Sequence, residues 1–257
     1  MREGCPAYLN QHMKTVGIVG GIGPESTIEY YRFIIEGYRE RQSRTGIPPV
    51  DTHAQDAPDT SYPSIIINSV DLTRLIGWIN ADELGPFTDY LAAAVEQLAR
   101  AGADFAVLAA NTAHIVFDQL RERSRLPLLS IAEATCAKAR ESGLQRLGLL
   151  GTRFTMEAKF YPEVFSRAGL TIITPNETER TFVNEKYFGE LLRNVFLPET
   201  RDQLLAIINQ MKQRDGIDGL ILGGTELPLI LRGAESDLPF LDTTRIHVAR
   251  IVDELLS

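Results

Sequence analysis

Apolar runs that favour β-strands alternate along the chain with amphipathic runs that favour helices. Strands are predicted, from the clustering of apolar and β-branched residues, at Lys14–Gly20, near Val50–His53, and at Phe105–Ala109, Arg146–Leu150, Thr171–Thr174 and Gly219–Leu222. Helices are predicted at Ser26–Glu40, Phe87–Arg100, Ile131–Ser142, from Thr152 to near Arg167, and at Glu185–Phe196, Arg201–Arg214 and Thr244–Leu256. Alternating strands and helices joined by short links form parallel sheets. The pattern therefore predicts an α/β fold built from doubly wound domains.

The residues that follow the strands are the first candidates for a site, because ligands in such folds bind beyond the carboxyl ends of the strands. Four strand ends stand out, two from each half of the chain: Gly20–Pro24, Ala110–His114, Gly151–Thr155 and Gly223–Glu226. The turns Ala110-Asn111-Thr112 and Gly223-Gly224-Thr225 each follow an apolar strand and resemble each other. This weak repeat predicts two similar halves that face one another across a cleft.

The glycine-rich turn Gly20–Pro24 lacks the Gly-x-Gly-x-x-Gly spacing of a dinucleotide-binding loop. No acidic residue ends a second strand at the expected distance either. A glycine turn at the start of a helix presents backbone N–H groups to an anion, so a carboxylate suits it better than a nucleotide. We therefore expect Gly23 to contribute to a carboxylate site.

Three polar residues, Asn111, Thr112 and Thr225, follow strands where a carboxylate would meet hydroxyls and backbone amides. Each of them taken alone is better explained as a helix cap, since Ser, Thr and Asn are the usual capping residues. Their occurrence together at opposed strand ends favours a binding site.

Thr152 and Thr155 lie at the start of a predicted helix, a second arrangement that suits an anion. Lys159 comes one turn later and is within reach of the acidic side chain of a substrate. The commoner alternative for Lys159 is a solvated surface lysine.

Two titratable residues at the strand ends are candidates for acid–base chemistry. His114 is either a general base or a capping or core histidine, and its spacing does not decide between them. Glu226 lies beside the apolar run Leu227–Ile230, where burial favours its protonated form, whereas hydrogen bonds from backbone amides would favour the carboxylate. Four histidines are scattered without the spacing of metal ligands, so no metal site is predicted.

Composition narrows the classes of partner and the cellular compartment. The net charge of −8 argues against a nucleic-acid partner, which requires a basic surface. Two cysteines, Cys5 and Cys136, are too few for a disulfide framework and are typical of a reducing compartment. No run approaches the roughly 18 apolar residues of a membrane helix. We expect a cytoplasmic protein, with no membrane segment and with residues 1–12 as a loose polar extension.

Five segments in order resemble the cofactor-independent aspartate/glutamate racemases, from Lys14 to the end of the chain. The segments are Gly20–Tyr31, Ala110–His114, Leu149–Tyr161, Gly219–Leu229 and Leu241–Val248. The resemblance implies two α/β domains related by a pseudo-two-fold axis, an active site in the cleft between them, no cofactor and a homodimer. It also implies that the last helix returns to the first domain, which gives domains of residues 13–117 with 229–257 and of residues 118–228.

Members of this family flank the substrate α-carbon with two cysteines, one that removes the proton and one that delivers a proton to the other face. The resemblance places these cysteines before Asn-Thr and before Thr-Glu, where this chain has Ala110 and Gly224. Neither residue exchanges a proton, and Cys5 and Cys136 match neither motif. The resemblance therefore carries the fold and carboxylate binding, but not the two-thiol mechanism.

Three functions are compatible with these residues. The first is an isomerase that acts on a small acidic amino acid with another base, such as Glu226, His114 or a bound water. The second is a one-base lyase or decarboxylase in the same cleft, and the third is a non-catalytic amino-acid binder. The resemblance favours the isomerase, and the segment Arg44–Ser69 is expected to set the choice of substrate.

Overall fold

The structure is a computed structural model that describes residues 13–45 and 62–257, and within them it contains two four-stranded parallel sheets. The first sheet consists of β1 (Thr15–Gly20), β2 (Ser64–Ser69), β3 (Phe105–Leu108) and β4 (Leu128–Leu129). The second consists of β5 (Arg146–Gly151), β6 (Thr171–Ile173), β7 (Gly219–Gly223) and β8 (Phe240–Asp242). The strand orders are β2-β1-β3-β4 and β6-β5-β7-β8, so the two sheets share one topology. The predicted α/β class and its two similar halves are confirmed.

Helices cover the sheets on both faces. In chain order they are α1 (Pro24–Thr45), α2 (Leu72–Asn80), α3 (Leu84–Arg100), α4 (Phe117–Arg123), α5 (Ile131–Glu141), α6 (Arg153–Glu157), α7 (Phe160–Arg167), α8 (Glu177–Gly189), α9 (Pro198–Asp215), α10 (Glu226–Ile230) and α11 (Thr243–Leu255). Short 3₁₀ turns occupy Thr112–Val116 and Leu191–Arg193. Several helices begin at side-chain caps, for example α5 at Ser130 and α11 at Asp242, because the first backbone N–H groups of a helix lack partners within it.

Alternation along the central strands divides the first core into two layers. Ile18 of β1 faces α1 and α11, where it packs with Ile34 and Ile251, whereas the neighbouring Val19 belongs to the layer under α3. This alternation is expected of a strand covered on both faces. It also means that α11, the last helix of the chain, packs on the first sheet.

Strand pairing divides the chain at different points from the expected domain limits. β4 pairs with β3 in the first sheet and β8 pairs with β7 in the second, although the expected limits at 117/118 and 228/229 assign each to the other domain. β4 and β8, of two and three residues, are not among the predicted strands, so the sequence does not reveal these pairings.

Other local predictions differ from the structure at helix boundaries. A helix was expected at Glu185–Phe196, but this segment contains only the end of α8, followed by a 3₁₀ turn. α8 begins earlier, at Glu177, where Asn176 and Glu179 form a capping box. The helix predicted after Thr152 is two helices, α6 and α7. The strand expected near Val50–His53 and the extension at residues 1–12 lie outside the described residues.

None of the helices in the described ranges combines the length and apolar character needed to cross a membrane.

Candidate functional site

The carboxyl ends of four strands meet where the two sheets face each other, and side-chain hydroxyls bridge them. Thr112, after β3, lies with its hydroxyl oxygen 3.3 Å from those of both Thr152 and Thr155, after β5. On the other side, the hydroxyl of Ser26 in α1 lies 2.9 Å from that of Thr225, after β7. One bridge therefore joins β3 to β5 and the other joins β1 to β7. Exchanging the two sheets maps one bridge onto the other, as expected for a pseudo-two-fold arrangement.

The turn after β1 requires glycine and is held by a threonine. Gly21 has φ of 81°, and a Cβ atom at this position would overlap the carbonyl oxygen of Val70. The Gly21 amide donates to the hydroxyl of Thr27 at 2.9 Å, and that hydroxyl donates to the Gly23 carbonyl at 3.2 Å. The turn is therefore held by hydrogen bonds to Thr27, and its Gly21 amide is already bonded within the protein.

Asn111 links the two halves of the molecule from a buried position. Its side-chain oxygen accepts a hydrogen bond of 2.7 Å from the Tyr161 hydroxyl, and its side-chain nitrogen donates to the Thr243 hydroxyl at 3.1 Å. The Thr243 hydroxyl in turn donates to the Leu222 carbonyl. Both the oxygen and the nitrogen of the Asn111 side-chain amide therefore have partners within the protein. These bonds hold the end of β3 in place.

His114 has both ring nitrogens bonded to the backbone. Nε2 accepts from the amide of Ile131 at 3.1 Å, so Nδ1 carries the proton and donates to the Ala110 carbonyl at 3.0 Å. The ring stacks on Phe117 and is 1 % exposed, and burial lowers the pKa of His114 to about 4. A neutral ring with no free nitrogen suits the core alternative given for this residue and not a general base.

Glu226, the first residue of α10, is buried and accepts a short hydrogen bond from the hydroxyl of Tyr187 in α8. Burial, together with the negative charge of Glu226, holds the pKa of the Tyr187 hydroxyl well above its usual value. The resting pair is therefore a neutral phenol that donates to a carboxyl group.

Two further carboxyl groups share this region and make it acidic. Burial is the main cause that raises the pKa of Glu29, and the charges of Asp242 and Glu226 raise it further. Burial likewise raises the pKa of Asp242. Arg32 and Arg245 offset part of this charge, since each lowers the pKa of Glu29.

The two positions at which the resemblance implies cysteines have different surroundings. Ala110 is half-buried, and its methyl group packs against the core under α3. At Gly224 an added Cβ atom would overlap the Tyr187 hydroxyl and lie 2.8 Å from the ring carbon that bears it. The space next to Gly224 is thus filled by a side chain from another helix.

Lys159 lies apart from the bridges, exposed at the start of α7. It lines a surface groove of about 330 Å³ between α4, α5 and α7, together with Glu133, Glu163 and Arg167. The structure therefore brings the predicted threonines, Asn111 and Glu226 to the meeting strand ends, and places Lys159 in a separate surface groove.

Among the participants in this site that were not predicted are Ser26, Tyr161, Tyr187 and Thr243. Ser26, Tyr161 and Thr243 lie inside segments that carry the family resemblance, so their place in those segments is a signal from which their presence at the site could be predicted. Tyr187 lies outside those segments, and the sequence gives no sign of its contact with Glu226. In the described ranges no group of three or more His, Cys, Asp or Glu side chains is placed to hold a metal ion.

Comparison with known proteins gives consistent matches across the chain. The sequence model of a family described as Asp/Glu/Hydantoin racemase matches residues 19–251. A protein from Yersinia pestis, described as a candidate Asp/Glu racemase, has 32% identity and a TM-score of 0.83 over 95% of this chain and 100% of its own. An aspartate racemase homologue from Pyrococcus horikoshii OT3 has 30% identity and a TM-score of 0.77 over the same shares. The broad specificity amino-acid racemase RacX of Bacillus subtilis is 22% identical over 94% of this chain and 98% of its own length.

Proposed function

Since the chain belongs to the Asp/Glu/Hydantoin racemase family, we propose that it binds a small acidic amino acid between its two sheets and acts there as an isomerase at the α-carbon. The observation that carries this proposal is the buried Glu226 carboxyl group, held at a strand end beside the hydroxyl bridge of Thr225 and Ser26. An isomerase of this kind requires a group that exchanges protons next to donors that hold the substrate carboxylate.

The proposed carboxylate site uses hydroxyls that now bond to one another. Thr112, Thr152 and Thr155 lie 3.2–3.3 Å apart, and a substrate carboxylate that enters would accept hydrogen bonds from these groups. A hydrogen bond of this type contributes about 1 kcal/mol net, so exchanging these hydroxyl contacts for bonds to a carboxylate costs little. Thr225, Asn111 and the Gly23 turn complete the site.

Lys159 is proposed to recognise the acidic side chain of the substrate from the rim of the site. It is exposed and lies four residues after Thr155, at the junction of α6 and α7, so it can move without breaking the core. The residues between Arg44 and Ser69 are proposed to complete the choice of substrate.

The two-thiol mechanism is not part of the proposal, because Ala110 and Gly224 have no group that exchanges a proton. His114 is not used as a base either, since both of its ring nitrogens are bonded to the backbone. The acid–base role is assigned to Glu226.

One observation favours a second candidate, a one-base lyase or decarboxylase. The acid–base groups described at the strand ends lie on the β7 side, whereas the β3 side has Ala110 and a neutral, bonded histidine. A reaction that needs proton transfer on one face only would fit this asymmetry.

The proposal is tested by incubating the protein in D₂O with L- and D-amino acids and following the α-proton by NMR. Exchange into both enantiomers, shown by chiral analysis, is the expected result, and exchange that keeps the configuration would favour the one-base candidate. Glu226→Gln should abolish exchange without abolishing binding of aspartate or glutamate. Binding without any exchange in the wild-type protein would contradict the isomerase and leave a non-catalytic binder.

The proposal also includes a homodimer located in the cytoplasm. Sedimentation equilibrium of the purified protein and fractionation of cells that express it are the measurements that check these two points.

A further inference from the structure

Tyr187 fills the space that a side chain at position 224 would occupy. An added Cβ at Gly224 would overlap the Tyr187 hydroxyl oxygen and approach two further atoms of the phenol ring, at 2.8 and 3.1 Å. Real Cβ atoms do not approach other heavy atoms this closely, so residue 224 is glycine as long as Tyr187 keeps this position. The hydroxyl of Tyr187 therefore lies where the resemblance implies a cysteine side chain.

The tyrosine ring is fixed in this position by its surroundings. Tyr187 is 3 % exposed and belongs to the same buried cluster as Val183, Leu191 and Leu227. Its hydroxyl is further held by the hydrogen bond to Glu226, which is 6 % exposed. A side chain restrained at both ends presents its hydroxyl in one place, which is what an acid–base group needs.

No side chain of residue 224 covers the Tyr187 hydroxyl, because Gly224 has no Cβ atom. The glycine is half-buried, while Thr225 and Glu226 on one side and Tyr187 on the other are buried. Without a Cβ at position 224, an α-carbon bound beside the Ser26–Thr225 bridge can approach the phenol oxygen across the glycine backbone.

We propose that Tyr187 is the acid–base residue on the Gly224 face of the cleft, with Glu226 as the acceptor of its proton. This inference rests on the proposed function and extends it to a residue that the family resemblance does not assign. Tyr187 is the catalytic residue, since its oxygen meets the substrate, and Glu226 acts through it.

The proton transfer balances within these two side chains and the substrate. The Cα–H bond breaks and its proton forms an O–H bond on Tyr187, while the original Tyr187 proton passes to the Glu226 carboxylate. The electron pair remains on the substrate α-carbon. Reversal of both transfers returns a proton to the same face, whereas inversion requires a proton on the opposite face, the one next to β3, where water is the proposed donor. Glu226 is needed because the Tyr187 hydroxyl, buried beside a carboxyl group, is protonated at neutral pH and is not a standing base.

The test compares Tyr187→Phe with the wild-type protein in the D₂O exchange assay, with L-aspartate and L-glutamate as probes. The variant keeps the ring and loses only the hydroxyl, and we expect its exchange rate to fall by about 100-fold or more, the usual contribution of a general acid or base. Tyr30→Phe is the matched control. It also removes a buried hydroxyl bonded to a titratable side chain, His247, and should keep the wild-type rate.

Glu226→Gln provides a second measurement that does not depend on the fold of the Tyr187 variant. Glutamine keeps the shape of the side chain and still accepts the hydrogen bond from Tyr187, but it cannot take up the proton. We expect kcat for exchange to fall by about 100-fold or more while KM changes little. A structural role of Glu226 would instead change KM, or the melting temperature, without this selective loss in kcat.

The outcomes separate this inference from the proposed function. If wild-type protein exchanges the α-proton and Tyr187→Phe stays within about threefold of it, the role of Tyr187 is wrong and the isomerase proposal stands. Retention of kcat in Glu226→Gln would overturn the relay and also the acid–base role proposed for Glu226, while exchange by the wild-type protein would still support an isomerase that uses another base. If the wild-type protein exchanges neither probe, the proposed function fails and the inference fails with it.

Discussion

The ends of β3 and β7 hold equivalent places in two sheets of the same strand order, but their side chains are bonded in different ways. After β3, Asn111 and His114 have neutral partners on both sides. After β7, Glu226 faces the hydroxyl of Tyr187. The side chains after β3 therefore have all their hydrogen bonds made to neutral partners, whereas Glu226 and Tyr187 after β7 form a pair between which a proton can move. A fold with two similar halves does not require the same side chains at its two equivalent strand ends.

The largest expected effect is the difference in the free energy of unfolding between cysteine variants at positions 224 and 110. Gly224→Cys should lower the free energy of unfolding by about 3 kcal/mol, because the new side chain overlaps Tyr187 in a packed region. Ala110→Cys adds one atom at a half-buried site and should change it by less than about 1 kcal/mol. Urea denaturation of the two variants measures the difference.

The same substitution in a Tyr187→Ala protein shows whether overlap with Tyr187 causes the destabilisation by Gly224→Cys. In Tyr187→Ala protein the additional effect of Gly224→Cys should shrink by about 1–3 kcal/mol, the range of coupling between residues in contact. Equal destabilisation in both backgrounds would mean that the overlap with Tyr187 does not decide which residue position 224 accepts. The same reasoning means that restoring both thiols without altering Tyr187 should not restore the two-thiol mechanism.

Sequence patterns predicted the strand ends better than the elements between them. β1, β3, β5 and β7 were located to within one residue at each end, because short apolar runs followed by glycine or by Asn-Thr turns are distinctive. β2 was missed, although it contains three consecutive isoleucines, since it follows a Pro- and Asp-rich stretch that indicates a loop. An edge strand with half-buried residues on both faces has no clear alternation to detect.

The pairing of Tyr187 with Glu226 could not be predicted for a different reason. The two residues are 39 positions apart, and Tyr187 lies on a helix whose start was placed at Glu185 instead of Glu177. The capping box at Asn176 was the available signal for the true start. Even with that boundary, periodicity shows that Tyr187 shares a face with Val183 but not which strand end the face covers. Contacts of this kind depend on how helices pack on the sheet.

The next prediction concerns the pH dependence of the free energy of unfolding that arises from His114, the histidine after β3. The pKa of His114 is about 4 in the folded protein and near 6.5 when exposed, so the unfolded chain binds its proton first as pH falls. The free energy of unfolding should therefore drop by about 2 kcal/mol from this residue between pH 7.5 and pH 5. Burial also lowers the pKa of His247, to about 3, which acts in the same direction. The raised pKa values of Glu29 and Asp242 act on the free energy of unfolding in the opposite direction. Protonation at lower pH removes the negative charge whose burial is unfavourable in the folded protein.

Urea denaturation at the two pH values, with His114→Gln as the comparison, isolates this contribution. Glutamine can still accept from the Ile131 amide but does not titrate, so the pH-dependent loss should shrink by about 2 kcal/mol. An unchanged loss would mean that His114 is not the neutral, bonded residue on which the contrast between the two strand ends depends.

The smallest expected effects come from the two hydroxyl bridges. Thr225 has a single contact of 2.9 Å with Ser26 and is buried, whereas Thr112 is half-buried and its two contacts are 3.3 Å long. Thr225→Val should therefore lower the free energy of unfolding by about 1 kcal/mol, and Thr112→Val by about 0.5 kcal/mol. Urea denaturation with several replicates resolves this difference. If Thr112→Val were the more damaging change, the β3 bridge would be the stronger one, and the two halves would open first at β1 and β7. The order of the two values thus indicates which bridge breaks more readily, and therefore which one the proposed carboxylate ligand would displace.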